Sequence, residues 1–271
     1  MRRCSVVLVL ALSAAHARAH DRWEYVVFNS SDDGAATLNF LQHGSRQTHH
    51  DLEFDSVQGF DSDWYAVRTA AGHSYEVRVN GGIMMWNPTC SGLCPKLDLV
   101  DGAGGVLGTG SISSEDVSFV SGGTQIGLGT TLRWSAGTGL NLLRVGPPGL
   151  PTGPEPSYDI SFRDTSYSVP RWNNSGSQVS IFVVQNTTPY QVAADIRLFD
   201  AQGTQLTVHP LTLLPRGLAV FSTASSPALA GKSGSALITH RGGYGALAGK
   251  VVAVEASTGF TFDTPIQPIP Y

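Results

Sequence analysis

Val192-Ala193-Ala194-Asp195-Ile196-Arg197-Leu198 is the stretch that decides the fold. Val192, Ala194, Ile196 and Leu198 recur at every second position, with Ala193, Asp195 and Arg197 between them. A strand turns successive side chains to opposite faces, so this pattern buries one face and wets the other. Upstream, Val179 to Val184 is an apolar run, broken only by Ser180, that ends in the turn cluster Gln185-Asn186-Thr187-Thr188-Pro189. Downstream, Asp200-Ala201-Gln202-Gly203 breaks the chain again. Further strands are predicted over 205–211, 217–222, 234–240 and 247–255, each bounded by turn residues.

The same period runs through the first half. Tyr75, Val77 and Val79 alternate with Glu76 and Arg78, and Leu97 and Leu99 with Lys96 and Asp98. Leu132 and Trp134 flank Arg133, and Tyr158, Ile160 and Phe162 alternate with Asp159 and Ser161. Ala70-Ala71-Gly72-His73, Asn80-Gly81-Gly82, Asp101-Gly102-Ala103-Gly104-Gly105 and Ala136-Gly137-Thr138-Gly139 supply the turns. No long run has the helical spacing, so the expected class is all-β, with two β-sandwich domains. The Pro-rich run from Pro147 to Pro156 looks like a linker, but the strand pattern Tyr158–Phe162 follows it at once. The domain boundary is therefore placed after that strand, near 163–169, giving domains over 20–165 and 166–271, the second with a short C-terminal tail.

Residues 1–19 read as a signal peptide: the basic start Met1-Arg2-Arg3, the apolar run Val6 to Leu12 and the small-x-small Ala17-Arg18-Ala19. A secreted or periplasmic chain beginning at His20 is expected. Cleavage removes three arginines and takes the formal charge from −4 to −7. That acidity argues against a nucleic-acid partner. No later apolar run is long enough for a membrane span. In an oxidising compartment, Cys90 and Cys94 are expected to close a small disulfide loop, worth about 2 kcal/mol on the chain-entropy account.

Asp61-Ser62-Asp63-Trp64-Tyr65 followed by Ala71-Gly72-His73-Ser74-Tyr75-Glu76-Val77 resembles the bacterial pre-peptidase C-terminal domain, whose pattern is D-x-D-W-[FY], a strand, A-G and an aromatic in the next strand. Asp98 to Gly104, Asn141 to Val145 and Tyr158 to Phe162 fall where that family has its later strands. The resemblance covers roughly residues 45–164. It implies a jelly-roll-like sandwich that serves as an accessory module on secreted enzymes. Six or seven short strands over about 100 residues make the second unit immunoglobulin-like. Its stretches His240 to Lys250 and Thr258 to Pro265 are similar to a C-terminal module of uncharacterised secreted bacterial proteins, which implies no activity.

Candidate chemistry is sparse. An N-terminal His20 would form a copper chelate through its amine and imidazole, with His43, His49, His50 or His73 as partner; this is the arrangement of a copper-dependent polysaccharide monooxygenase. Chance at the junction competes, and cleavage after Ala17 removes the site. The acidic stretch His49 to Asp55 with Asp61 and Asp63 offers carboxylates for calcium, as in a calcium-binding carbohydrate-binding module, but no EF-hand spacing is present. The competing reading is a strand with Leu52 and Phe54 inward, and Asp61 and Asp63 capping a turn. No G-x-S-x-G or H-E-x-x-H occurs. Trp86, beside the cysteine loop, is the candidate for stacking on a sugar ring, while Trp64 and Trp134 are expected in the core. Sequons at Asn29, Asn173 and Asn186 fit exposed loops. The sequence-level expectation is a non-enzymatic binding protein, directed at an extracellular polysaccharide or protein, of unknown oligomeric state.

Overall fold

The structure is a computed structural model that describes residues 36–52, 54–55, 59–60, 62–81, 95–112, 129–146 and 157–270. The signal segment, His20, Trp23, Asp61, Trp86, Cys90, Cys94 and Asn29 lie outside them. The first twelve strands are β1 (Phe40–Leu41), β2 (Arg46–Asp51), β3 (Phe54–Asp55), β4 (Gly59–Phe60), β5 (Asp63–Thr69), β6 (Ser74–Gly81), β7 (Lys96–Val100), β8 (Val106–Thr109), β9 (Ser111–Ile112), β10 (Gly129–Ser135), β11 (Gly139–Gly146) and β12 (Ser157–Asp164). They form two sheets, ordered β1-β5-β11-β7-β8 and β2-β12-β6-β10-β9, with β3 and β4 as a separate small hairpin. β2 pairs with β12, β5 with β11, β6 with β10 and β7 with β8, as if one long hairpin were folded over on itself. That nesting is the jelly roll.

The inner faces carry the residues picked out by alternation. Tyr75, Val77, Val79, Leu97, Leu99, Leu132, Tyr158, Ile160 and Phe162 share one buried cluster with Tyr65, Val67, Leu143 and Val145, and Trp134 packs half-buried at its edge. The outward members behave less simply. Glu76 and Asp98 are each 1% exposed although alternation turns them away from the core. Cations enclose them: Arg78 and Arg133 hold Glu76 at 2.8 and 2.6 Å, and Lys96 and Arg144 hold Asp98 at 2.9 Å each. A buried carboxylate needs such partners to stay ionised. Trp64 is buried as expected, but on the outer face of its sheet with Ala66, Val100 and Leu142, beneath the Arg144 guanidinium.

The second sandwich comprises β13 (Tyr167–Asn174), β14 (Gln178–Asn186), β15 (Val192–Asp200), β16 (Gln205–Leu213), β17 (Leu218–Ser222), β18 (Lys232–His240), β19 (Leu247–Glu255), β20 (Phe260–Pro265) and β21 (Gln267–Pro268). Its sheets run β16-β15-β18-β13-β21 and β17-β14-β19-β20. Counting from β13, the second and fifth strands pair and the third and sixth pair, as in an immunoglobulin-like sandwich. The first strand lies beside the sixth and the seventh beside the second, a local departure from that order. Phe182, Val184, Ile196, Leu198, Leu213 and Trp172 fill the core, and the Trp172 indole N–H reaches the Phe199 and Ser235 carbonyls at 3.2 and 2.8 Å. Pro210 sits in β16, an edge strand among the described residues, where proline is tolerated.

One turn recurs in both sandwiches. In Asp101-Gly102-Ala103-Gly104-Gly105, the Asp101 carboxylate accepts the Ala103 and Gly105 N–H groups. In Asp200-Ala201-Gln202-Gly203-Thr204, Asp200 does the same for Gln202 and Thr204. Gly104 and Gly203 both stand at φ 83°, which a Cβ would strain.

Candidate cavity and joint at the foot of the first sandwich

Only Thr165 and Ser166 separate β12 from β13, and both are buried. Their hydroxyls tie the modules together. Thr165 Oγ1 donates to Ser74 Oγ at 2.8 Å, and the Ser74 N–H donates to Ser166 Oγ at 2.9 Å. From the second sandwich, the His240 N–H reaches Ser74 Oγ at 3.3 Å, and the Ile269 N–H reaches the Ser166 carbonyl at 3.1 Å. Charges continue the seam. Gly243 lies against the Glu76–Arg78–Arg133 cluster, where a Cβ would come within 3.0 Å of both guanidinium groups, and Arg163 stacks over the Tyr244 ring at 4.7 Å. Saturated contacts of this kind hold two domains in one orientation.

His43 bridges the same seam. Its Nδ1 accepts the Asp164 N–H at 2.9 Å, so the ring proton sits on Nε2 and is donated to the Ile269 carbonyl at 3.0 Å. His240 is 5% exposed, and its Nδ1 accepts the Gly242 N–H. Burial pushes its pKa down to about 4, against the pull of the Thr165 backbone and the Glu76 carboxylate.

Beside His43 opens a cavity of about 760 Å³, in the range that small-molecule sites occupy. Four segments build it: β1 with the following turn, the end of β5, the start of β6 and the end of β12. Leu41, Tyr75 and Phe162 are buried in its wall, with Phe40 and Arg68 exposed at its mouth. Tyr75 and Phe162 stack at 5.5 Å. The Tyr75 oxygen accepts the Ala70 N–H at 2.7 Å, and burial drives the phenol up to about 12, so it stays a donor. Asp164, also in the wall, is engaged by His73 Nδ1 at 2.6 Å and by the Ser166 N–H at 2.9 Å. Burial favours its neutral form, but these donors prevail and hold the carboxyl below its ordinary range.

His73 and Asp164 have the geometry of a base and its orienting carboxylate. Among the described residues no serine, threonine or cysteine bonds to the other nitrogen of His73.

Of the sequence-predicted site residues, Asp63 is placed inside the core. It is 1% exposed and ends a chain of hydrogen bonds between the sheets: His50 Nδ1 to the Tyr65 hydroxyl at 3.0 Å, Tyr65 to the Tyr158 hydroxyl at 2.6 Å, and Tyr158 to Asp63. Burial raises the Tyr158 pKa well above the usual phenol value, so Tyr158 acts as donor. Among the described residues no three His, Cys, Asp or Glu side chains cluster as metal ligands. The strand expected over His49 to Asp55 is interrupted. His49 takes φ 66° at a register shift, which turns His50 inward beside Leu52. The sequons at Asn173 and Asn186 are corrected: both residues are buried in strands. The Asn186 amide serves the Tyr190, Leu213 and Leu214 carbonyls, so neither asparagine is an exposed acceptor.

The cavity was not visible in the sequence because its lining residues run from Phe40 to Asp164 without a motif. The only advance signal was Ala71-Gly72-His73 ahead of Tyr75. The sequence matches no protein-family profile and no curated protein.

Proposed function

We propose that this chain is an exported, non-catalytic binding protein whose first module belongs with the pre-peptidase C-terminal sandwiches. It attaches to an extracellular polymer, a cell-surface component or a partner protein. The observation that carries this reading is the division of labour at the foot of the first sandwich. The acidic and imidazole groups there brace the joint, while the rings and Arg68 around the cavity are left to meet a ligand. Small sites of this composition are typical of recognition. Retention of the purified secreted protein on insoluble polysaccharides and on collagen is the expected result. No retention on any of them leaves only a partner-protein role.

The His73–Asp164 pair favours one second reading, a hydrolase in which His73 draws a proton from water. Turnover of an ester or glycoside substrate that is abolished in His73→Asn would replace the binding reading with this one.

A further inference from the structure

We propose that the cavity at the foot of the first sandwich binds a small molecule carrying one carboxylate on an apolar body, with Arg68 receiving the charge. The cation comes first. Most arginines of the described residues are occupied: Arg46 with Asp159, Arg78 and Arg133 with Glu76, Arg144 with Asp98, Arg197 with Asp195, Arg216 with the Thr187 carbonyl, and Arg163 and Arg171 over Tyr244 and Phe262. Among the described residues the Arg68 side chain has neither an ion pair nor a hydrogen bond, although it stands near the end of a strand beside a cavity. Its fixed fork of N–H donors matches a carboxylate.

The surroundings set the rest of the ligand. Arg68 lies opposite Leu140 in the ladder, and Phe40 lies opposite the neighbouring Ala66. Leu140 is 58% exposed and Phe40 41%, so apolar side chains edge the strand at Arg68. Inside, Leu41, Tyr75 and Phe162 offer flat apolar surface, and the Tyr75 hydroxyl keeps a proton that nothing among the described residues accepts. The lining also includes Asp164, engaged by His73, whose carboxylate disfavours a second negative charge nearby. One cation, one neutral donor and one anion in the same lining select a monoanion over a phosphate dianion. A bulky apolar body fills the remaining volume.

This inference rests on the binding-protein reading and sharpens it to a ligand class. Calorimetric titration of the full chain with 1-naphthoate, octanoate and their neutral primary amides tests it. Both carboxylates are expected to saturate with Kd of about 0.1–1 mM or tighter, as suits ligands of this size. Each should bind about tenfold tighter than its amide, the margin of a charge-assisted contact. Arg68→Gln should erase that margin by weakening the carboxylates far more than the amides, Arg68→Lys should restore part of it, and Tyr75→Phe should weaken all four probes. The better of the two carboxylates identifies an aromatic or an aliphatic source. Equal binding of acid and amide, an unchanged margin in Arg68→Gln, or no saturable binding by folded wild-type protein each overturns the proposal. Retention on a polymer by wild type and Arg68→Gln alike, with no probe bound, sinks this inference and leaves the binding-protein reading standing.

Discussion

Moving from about pH 7 to about pH 4.5 should destabilise the folded chain through His240, and the size of the loss follows from where that ring lies. Its folded pKa of about 4 is below the ordinary 6.5, because the ring is closed in by Tyr167, Thr165 and Gly242, with Glu76 and Arg133 opposing each other nearby. Between these values the folded ring is neutral while the unfolded ring binds a proton. Stability is therefore complete above 6.5 and declines as pH falls toward 4. At about 1.4 kcal/mol per pH unit, the full interval is worth about 3 kcal/mol, most of it gone by about pH 4.5. Glu76, Asp98 and Asp164 enter lower down: their pKa values are depressed, so their contributions persist until pH falls below the ordinary carboxylate range. His209, also pushed down by burial, adds the same sign but cancels between wild type and a His240 variant. Urea unfolding of wild type and His240→Gln across this range should give a stability difference that shrinks by about 2–3 kcal/mol on acidification. Parallel curves would refute the reasoning. Should the variant not fold, the ring proton resonances of His240 in wild type decide: a midpoint near 4 is expected, and one at 6 or above overturns the argument.

Three further outcomes are open to direct measurement. Glu76→Gln removes the anion shared by Arg78 and Arg133 and should cost about 2–3 kcal/mol in chemical denaturation, the guanidinium groups being partly solvated; a change under about 0.5 kcal/mol contradicts the assigned role. Gly249→Ala drives a methyl into the Val183 carbonyl across the β14–β19 ladder, so a loss of roughly 3 kcal/mol and a clear drop in Tm are expected, whereas an unchanged melt would mean that the strands sit farther apart. Asn186→Ala strips a side-chain amide from three carbonyls and an acceptor from Thr188, and should lower stability by about 2 kcal/mol in the same assay.

The parts of this fold that could be read in advance are those where one face of a strand is apolar and the other is wet. β19 matches its expected run, β15 and β18 extend theirs by two residues, and β14 takes in Gln178 and also Gln185 and Asn186, which read as a turn, because alternation and turn chemistry are local. β13 escaped because Ser168, Pro170, Arg171 and Asn174 interrupt its pattern, and its buried Trp172 follows a register shift. His50 and Asp63 escaped for another reason. They are polar groups satisfied by tyrosine hydroxyls on distant strands, a pairing that no local window contains. The joint is wholly non-local: Ser74, Glu76 and Arg133 meet residues 240–243 only after both sandwiches have formed. The cavity shares that origin, since its wall needs β1, β5, β6 and β12 already in register.

The His43 clip gives the second sandwich a mechanical part in whatever the cavity does. A ring at the cavity wall is anchored to a carbonyl 226 positions downstream. The β1–β2 turn is thus joined through one imidazole both to β12 and to the segment after β21. A ligand of the kind proposed above would therefore sit against a wall whose position depends on the second sandwich as well as on the first.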